Sequence, residues 1–193
     1  SVLTSPVYVV FGSAMHRSGA TGAAVIANAT ASGEGTGAAA RVTVIMPVHE
    51  GARTLARSIE SVLAQSVTDW ELVIVIDGGS DGSETIARAA ADADPRISVV
   101  RQDQSGPAAA RNKGLSHDRS PWIVFLDDDD TLSKEFLARM LGGALDGVDV
   151  RVTGFTRLNE SGQEIGRQAP PDIVEDPIAC CLSGPPAAIH CFL

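Results

Sequence analysis

Four consecutive aspartates, Asp127, Asp128, Asp129 and Asp130, are the residues of this chain whose type and spacing most directly indicate chemistry. They follow residues 122–126, an apolar run that predicts a short strand buried on both faces. Carboxylates crowded at a strand end repel one another and raise one another's pKa unless a positive charge lies among them. Mg²⁺ or Mn²⁺ would supply that charge, because both prefer oxygen ligands and accept water and phosphate as the remaining ligands.

The spacing of the aspartates also predicts which of them could share an ion. Side chains alternate along an extended backbone, so we expect Asp127 and Asp129 on one side and Asp128 and Asp130 on the other. The alternative is an acidic surface turn without function, which is the usual interpretation of a charge block. The buried strand before the block favours a ligand site, since ligands of open α/β sheets bind at the carboxyl ends of strands.

Composition narrows the classes of function. The 193 residues are 44% hydrophobic and 20% charged, which is typical of one globular domain plus a tail. A net charge of −9 argues against a DNA or RNA partner. No apolar run approaches the roughly 18 residues that cross a bilayer, so we expect a soluble protein, with peripheral contact at a membrane left open. The three cysteines form neither a disulfide framework nor a zinc motif, which favours the cytoplasm, either free or at the cytoplasmic face of a membrane.

The chain divides into three parts by composition. Residues 1–40 predict an N-terminal strand over residues 1–11 and then a linker or tail rich in Ala and Gly. Residues 41–156 carry the apolar periodicity of a folded domain. Residues 157–193 are irregular and rich in proline apart from a turn at residues 159–162, and we interpret them as the start of a truncated acceptor region.

Strand and helix patterns alternate along the central part. Pro47 is expected to stop the first strand, Ser83 to cap the second helix, and Gly114 to close the helix that begins at Pro107. This order predicts an α/β fold with a largely parallel sheet flanked by helices and joined by right-handed crossovers. The predicted strands cover residues 42–46, 71–76, 97–101, 122–126 and 148–155, and the predicted helices cover residues 53–65, 83–91 and 107–114 and a segment after Ser133.

Polar groups follow three of these strands. Asp77 stands on a glycine turn and could accept the imide N–H of a base such as uracil, or it could instead cap its own loop. Arg111 lies one turn into a helix, where guanidinium and helix N-terminus together favour an anion, unless it pairs with a surface acid. His49 alone would be an ordinary loop histidine.

Several linked motifs together resemble the family 2 glycosyltransferases, which have the GT-A fold. The resemblance covers about residues 41–155. The chain differs from the family pattern at His49 and Glu50, where an aromatic residue and Asn are usual, and at Ile76, where a first aspartate is common. The matching motifs are Pro47-Val48-His49-Glu50, Ser61-Val62-Leu63-Ala64-Gln65, Asp77-Gly78-Gly79-Ser80-Asp81-Gly82, Ala110-Arg111-Asn112-Lys113-Gly114 and Phe125-Leu126-Asp127-Asp128-Asp129-Asp130.

The resemblance implies a nucleotide-sugar donor, commonly a UDP-sugar, and an acceptor of unknown type that is a glycan, a lipid-linked molecule or a small molecule. It implies that Asp129, with Asp127, binds Mn²⁺ or Mg²⁺, and that a carboxylate deprotonates the acceptor hydroxyl with inversion at the anomeric carbon. No residue is assigned as that base; Glu175 and Asp176 form the only later acidic pair. The residues implied to bind the nucleotide-sugar are Pro47, Val48, His49, Glu50, Asp77, Gly78, Gln104, Arg111, Asp127 and Asp128.

Two other functions compete with a transferase. The chain could be a non-catalytic nucleotide-sugar or metal-binding module, or an inactive fragment, because a fold does not guarantee an activity. Asp127-x-Asp129-x-Thr131 after an apolar strand also fits the nucleophile motif of haloacid dehalogenase-like phosphatases. That chemistry needs a lysine beside the phosphate, and no lysine follows Lys134.

Overall fold

The computed structural model describes residues 10–11, 25–28, 40–117, 120–142, 150–152, 154–159, 161–168 and 190–191. Strands and helices alternate through the central part of the chain, as the sequence predicts. In chain order the elements are β1 (Val10–Phe11), β2 (Val25–Asn28), β3 (Val42–Val48), α1 (Leu55–Leu63), β4 (Trp70–Asp77), α2 (Ser83–Ala93), β5 (Ile97–Gln102), α3 (Pro107–Leu115), β6 (Trp122–Phe125), α4 (Phe136–Leu141), β7 (Val150–Val152), β8 (Phe155–Leu158), β9 (Glu164–Gln168) and β10 (His190–Cys191).

Six strands form one mixed sheet in the order β5-β4-β3-β6-β2-β7. Strands β5, β4, β3 and β6 run parallel to one another, whereas β2 is antiparallel to both β6 and β7. The predicted α/β class with a largely parallel, mixed sheet flanked by helices is therefore confirmed. Parallel neighbours end at the same edge of the sheet, so the ends of β3, β4 and β6 lie together.

The parallel strands are covered on both faces, which is why their sequences are continuous apolar runs rather than alternating ones. Side chains of β3 alternate between the faces: Val44 and Met46 pack with residues of α1, α2 and α4, and Ile45 packs with Ala110 of α3. The helix side of the first face is formed by Leu55, Ile59, Val62, Ala87, Leu137, Met140 and Leu141.

Strand β3 continues through Pro47 to Val48, so the expectation that proline stops this strand is wrong. Ile45 directs its carbonyl to β6, where Leu126 N donates to it at 3.0 Å. Pro47, two residues further, faces the same side, beyond the last paired residues of β3 and β6. Its missing N–H therefore costs no ladder hydrogen bond, while pairing with β4 continues to Val48.

Two helix boundaries also differ from expectation. Gly82, with φ of 96°, occupies the N-cap of α2, and Asp81 Oδ1 accepts the Ser83 N–H at 3.1 Å, so Ser83 is the first helical residue rather than the cap. Gly114 lies inside α3 rather than closing it. A Cβ atom at Gly114 would lie 2.3 Å from Ile45 Cγ2, so glycine there lets α3 approach the sheet closely.

The two ends of the chain carry more regular structure than the sequence indicated. Strand β2 lies within the segment interpreted as a linker, where Ile26, Ala27 and Asn28 pair with β6. The strand expected over residues 148–155 is divided into β7, in the main sheet, and β8, which forms a hairpin with β9. Asn159 Oδ1 accepts N–H groups in the hairpin turn, which confirms the turn at residues 159–162.

Some predictions fall on residues that are not described. Within the N-terminal strand expected over residues 1–11, the structure describes Val10–Phe11, which pairs with β10. Glu175 and Asp176 lie outside the described residues. Among the helices that are described, none has the length and apolar character needed to cross a bilayer. The boundaries proposed near residues 41 and 156 stay predictions.

Candidate functional site

Three neighbouring parallel strands bring the predicted polar residues to one edge of the sheet. Strand β4 ends at Asp77, β3 ends at Val48 just before His49, and β6 ends two residues before Asp127. Because β3 lies between β4 and β6, these ends are adjacent and share one direction. The expectation that they line a common edge is confirmed.

The carboxylate of Asp77 organises the loop between β5 and α3. It is 3% exposed. Its Oδ1 accepts Gln102 Nε2 and Ser105 N, and its Oδ2 accepts Gly106 N, each at 2.8 Å. Burial raises the pKa of Asp77, but these hydrogen bonds outweigh burial and leave the pKa below its usual 3.8. Asp77 therefore holds a neighbouring loop rather than its own, and its contact with a base stays a prediction.

Gly78 is required by both conformation and space. Its φ of 71° lies in the left-handed region, and a Cβ atom there would lie 2.9 Å from Gln104 Cβ. The resemblance implied that Gly78 lies against the nucleotide-sugar. In the structure, the space beside Gly78 is occupied by the β5–α3 loop. The result is that Gln104 packs directly over the end of β4.

His49 joins the end of β3 to the same loop. Its Nδ1 lies 2.8 Å from the Asp77 carbonyl oxygen, and its Nε2 lies 3.2 Å from Gln104 Nε2. Since a carbonyl oxygen only accepts, Nδ1 donates to the Asp77 carbonyl, and Nε2 lies against the Gln104 amide. Both ring nitrogens of His49 have a partner, and the ring lies at an exposed position, so its contact with a base stays a prediction.

The other residues of the motif at 47–50 are of two kinds, buried and exposed. Pro47 and Val48 are buried in the sheet, with Val48 in the hydrophobic core, and their contact with a donor stays a prediction. Glu50 is exposed and adopts a φ of 53°, the left-handed region that non-glycine residues seldom occupy. Asp81 stabilises this bend, because its Oδ2 accepts Ala52 N at 2.8 Å. Sequence reasoning gave Asp81 no role.

The four aspartates form a tight turn, which we call the acidic turn (residues 127–130). Strand β6 ends at Phe125, and Asp130 N donates to the Asp127 carbonyl at 3.1 Å. This i to i+3 hydrogen bond closes a β-turn. The expected alternation of side chains is therefore wrong, because it assumed that the extended backbone continues past the strand.

Asp127 forms an ion pair with a buried arginine. Arg111 Nη2 lies 2.5 Å from Asp127 Oδ1, and the Arg111 side chain is 7% exposed. Arg111 thus pairs with an acid of the candidate site rather than with a surface acid. The ion pair joins α3 to the acidic turn and balances part of the turn's negative charge.

The balance differs at Asp128 and Asp129: the charge of Arg57 lowers the pKa of Asp129, but larger effects raise it. Burial, with the charges of Asp129 and Asp127, raises the pKa of Asp128 to about 7. Partial loss of hydration and the Asp127 charge also raise the pKa of Asp129. The residue as a whole is nevertheless exposed. For these two residues, the expectation that crowded carboxylates raise one another's pKa is confirmed.

The carboxylate of Asp128 packs against the backbone of Gly51. A Cβ atom at Gly51 would lie 1.9 Å from Asp128 Oδ2, so no larger residue fits without moving this carboxylate. Within the described residues, Asp128 Oδ2 is buried and receives no hydrogen bond. A buried carboxylate oxygen without a donor is costly, and a cation or an added proton would relieve that cost.

A divalent cation fits this arrangement in part. The described residues contain no group of three or more His, Cys, Asp or Glu side chains that could hold a metal by themselves. Mg²⁺ and related cations that act on phosphates commonly take one or two carboxylates and complete their shell with water and substrate oxygens. The exposed Asp129 and the unsatisfied Asp128 oxygen suit such an incomplete, oxygen-rich ligand set.

Helix α1 donates hydrogen bonds to the backbone of the acidic turn, a contact that the sequence did not predict. Ser58 Oγ donates to the Asp128 carbonyl at 2.8 Å, and Arg57 Nη2 donates to the Asp129 carbonyl at 3.1 Å. The sequence signal was a pair of polar residues beside the apolar face of α1. Such a signal does not identify a partner 70 residues away.

Comparison with known proteins agrees with this geometry. GlyA of Streptococcus pneumoniae, a glycosyltransferase by name, is 30% identical over 63% of this chain and 18% of its own length. The succinoglycan biosynthesis protein ExoO of Rhizobium meliloti is 41% identical over 64% of this chain and 36% of its own length. The chain thus spans between a fifth and two fifths, roughly, of the lengths of these relatives.

A solved structure shows the same fold. Residues 1–349 of S. aureus TarS superimpose with a TM-score of 0.50 at 23% identity, covering 52% of this chain and 31% of that one. The shared architecture is the GT-A fold of glycosyltransferases. The family model described as glycosyl transferase family 2 matches residues 43–178, which include every strand end of the candidate site. The chain belongs to glycosyl transferase family 2.

Proposed function

We propose that the chain is the donor-binding part of a glycosyltransferase that moves a sugar from a nucleotide-sugar, a UDP-sugar in our proposal, to an acceptor hydroxyl. The single observation that carries this proposal is the acidic turn beside the ends of β3 and β4, in a chain of the glycosyl transferase family. Ligands of open α/β sheets bind at such an edge. The family assignment also removes the reason to prefer a phosphatase.

The base end of the site is formed by β4 and the β5–α3 loop. Asp77 fixes this loop by three hydrogen bonds, and His49 is held between Gln104 and the Asp77 carbonyl. In this proposal a base lies against His49 and Gln104. Asp77 acts mainly by holding those two groups in position. In this proposal its carboxylate also accepts a hydrogen bond from the base.

The diphosphate end of the site is the acidic turn. Asp129 is exposed and keeps a raised pKa despite the nearby charge of Arg57, whereas Asp127 is already paired with Arg111. We therefore assign Asp129 as the main ligand of Mn²⁺ or Mg²⁺, with Asp127 oriented by Arg111 beside it. When bound, the cation supplies Lewis-acid stabilisation to the leaving nucleoside diphosphate.

The transfer itself needs groups that the described residues do not identify. We propose inversion at the anomeric carbon, with a carboxylate that deprotonates the acceptor hydroxyl. The relatives GlyA and ExoO are much longer than this chain, so the proposal places the acceptor site and this base in sequence beyond the donor-binding part.

Calorimetry of UDP binding in Mn²⁺ and in EDTA tests this function. We expect wild-type protein to bind UDP more tightly with Mn²⁺, and Asp129→Ala to lose that gain while its circular dichroism spectrum is unchanged. Asp92→Ala, which removes an exposed carboxylate from α2, is the matched control. Equal UDP affinity of the wild type in Mn²⁺ and EDTA would contradict the metal assignment.

A second candidate is a binding module without catalysis, because a fold does not guarantee an activity. Incubation with Mn²⁺ and a panel of UDP- and GDP-sugars separates the two functions. Slow release of nucleotide supports a transferase that hydrolyses its donor, whereas tight binding without release supports the module.

A further inference from the structure

One face of α1 carries polar side chains that bind the backbone of the acidic turn and of the segment after it. We call Ser58, Ser61 and Gln65 the α1 polar strip. Ser58 and Ser61 lie on α1, three residues apart and therefore on one side of the helix. Gln65 follows two residues after the end of α1. The Ser61-to-Gln65 motif was noted in the sequence because of the family resemblance, but none of the roles assigned so far uses it.

The contacts of the α1 polar strip follow the chain in order. Ser58 Oγ donates to the Asp128 carbonyl at 2.8 Å. Ser61 Oγ accepts Leu132 N at 3.1 Å. Each bond reaches main-chain atoms about 70 residues away, so the strip fixes backbone rather than side-chain positions.

Gln65 continues the pattern towards α4. Its Nε2 donates to the Ser133 carbonyl at 2.8 Å, and its Oε1 accepts Leu137 N at 2.9 Å. The first N–H groups of a helix have no partner within that helix, so Gln65 also satisfies one end of α4. Gln65 is 6% exposed and Ser58 is 0% exposed, so water does not replace these bonds easily.

We propose that the α1 polar strip is a positioning element for the metal and diphosphate end of the site, with Ser58 as its central residue. This inference rests on the proposed function. The acidic turn places four carboxylates side by side, and one backbone hydrogen bond, from Asp130 N to the Asp127 carbonyl, closes it. Ser58 adds a buried hydrogen bond to the backbone of the same turn. Ser58 holds the residue between the two aspartates assigned to the cation, so both carboxylates are presented in one geometry before a ligand binds.

A merely structural role would predict a different result. If the strip only joined α1 to the loop, Ser58→Ala would lower the stability of the fold, but the folded molecules would bind metal and UDP as before. A positioning role predicts that the folded variant binds less tightly in Mn²⁺, because part of the binding free energy is then spent on ordering the turn.

The experiment uses Ser58→Ala, with Ser61→Ala as a second, less buried variant. Ser66→Ala is the matched control, since the exposed Ser66 hydroxyl binds the Glu135 side chain instead of the acidic turn. Hydrogen exchange of the Asp130 amide reports whether the turn is held. Calorimetry of UDP in Mn²⁺ and in EDTA reports whether the geometry matters for binding.

We expect Ser58→Ala to speed exchange of the Asp130 amide and to weaken Mn²⁺-dependent UDP binding, each by about three- to ten-fold, the factor of one lost hydrogen bond. Affinity in EDTA and all properties of Ser66→Ala should be unchanged. Ser61→Ala should change in the same direction and by less.

Each contrary result overturns a distinct statement. Unchanged exchange in Ser58→Ala and Ser61→Ala would show that the strip does not hold the turn. Faster exchange with unchanged Mn²⁺-dependent affinity would show a structural role alone. A wild type that gains no affinity from Mn²⁺ would overturn the proposed function itself, and the exchange data would still report whether the turn is held.

Discussion

Replacing Asp77 by asparagine should lower the free energy of unfolding by about 2–3 kcal/mol, although the change replaces a single oxygen by an amide nitrogen. The Asp77 carboxylate accepts two backbone N–H groups, of Ser105 and Gly106, on different oxygens. Asparagine offers one oxygen and one NH₂ group. In either orientation, one of the two backbone donors then faces another donor and is left unpaired.

The magnitude follows from burial and charge. A hydrogen bond to a charged group contributes about 1.5–3 kcal/mol, and an unpaired buried donor costs about 1–3 kcal/mol. Asp77 is 3% exposed, so solvent screens these bonds little. With a typical urea slope of about 1–3 kcal/mol/M for a small protein, the midpoint of urea unfolding should fall by about 1 M.

The effect should also depend on pH. The folded-state pKa of Asp77 lies below the usual 3.8, so its charged form stabilises the fold at pH values above 3.8. This contribution is lost as the pH falls through the folded-state pKa. The difference in stability between wild type and Asp77→Asn should therefore be full at pH 7 and should shrink below pH 3.8.

Urea unfolding followed by circular dichroism at pH 7 and at pH 3 measures both effects. Asp103→Asn is the matched control, because Asp103 lies in the same loop with an exposed side chain. A midpoint for Asp77→Asn equal to that of wild type at pH 7 would refute the role of this carboxylate as the anchor of the loop. A difference of the same size at both pH values would refute its electrostatic part.

Two glycine substitutions test close packing, with Gly166→Ala as control because the nearest atom to its added Cβ lies 4.0 Å away. Gly114→Ala should lower the free energy of unfolding by about 1–3 kcal/mol in urea titrations, since its Cβ would overlap the buried Ile45 side chain, and an unchanged midpoint would contradict that contact. Gly51→Ala should displace the Asp128 carboxylate. Its loss of Mn²⁺-dependent UDP binding free energy in calorimetry should exceed its loss of unfolding free energy in urea titrations. A larger loss of unfolding free energy would show that this carboxylate has no part in the site.

The sequence predicted the parallel part of the sheet well because burial on both faces leaves a simple signal. Residues 122–126 and the run before Asp77 are continuously apolar, and each proved to be a strand in the predicted order. The common edge followed from topology alone. The position of these residues at the edge could be predicted because the apolar runs stop where the strands end. Their roles in binding stay predictions.

Other features depend on contacts that sequence spacing does not reveal. The turn at Asp127 is held by Ser58, 70 residues away from Asp128, so an extended geometry was expected in error. The partners of Asp77 lie 25 to 29 residues later in the chain. Strand β2 has four residues in a segment of small side chains, too short for a period to be visible.

Helix α3 contacts both ends of the candidate site and the core of the sheet. Asp77 binds the N–H groups at its start, Arg111 within it binds Asp127, and Gly114 near its end rests on Ile45. Substitutions at Asp77 and at Asp127 therefore both change the contacts of the same short helix. Their energetic effects should be non-additive, and a double-mutant cycle of the two would measure the coupling free energy between the two ends of the proposed donor site.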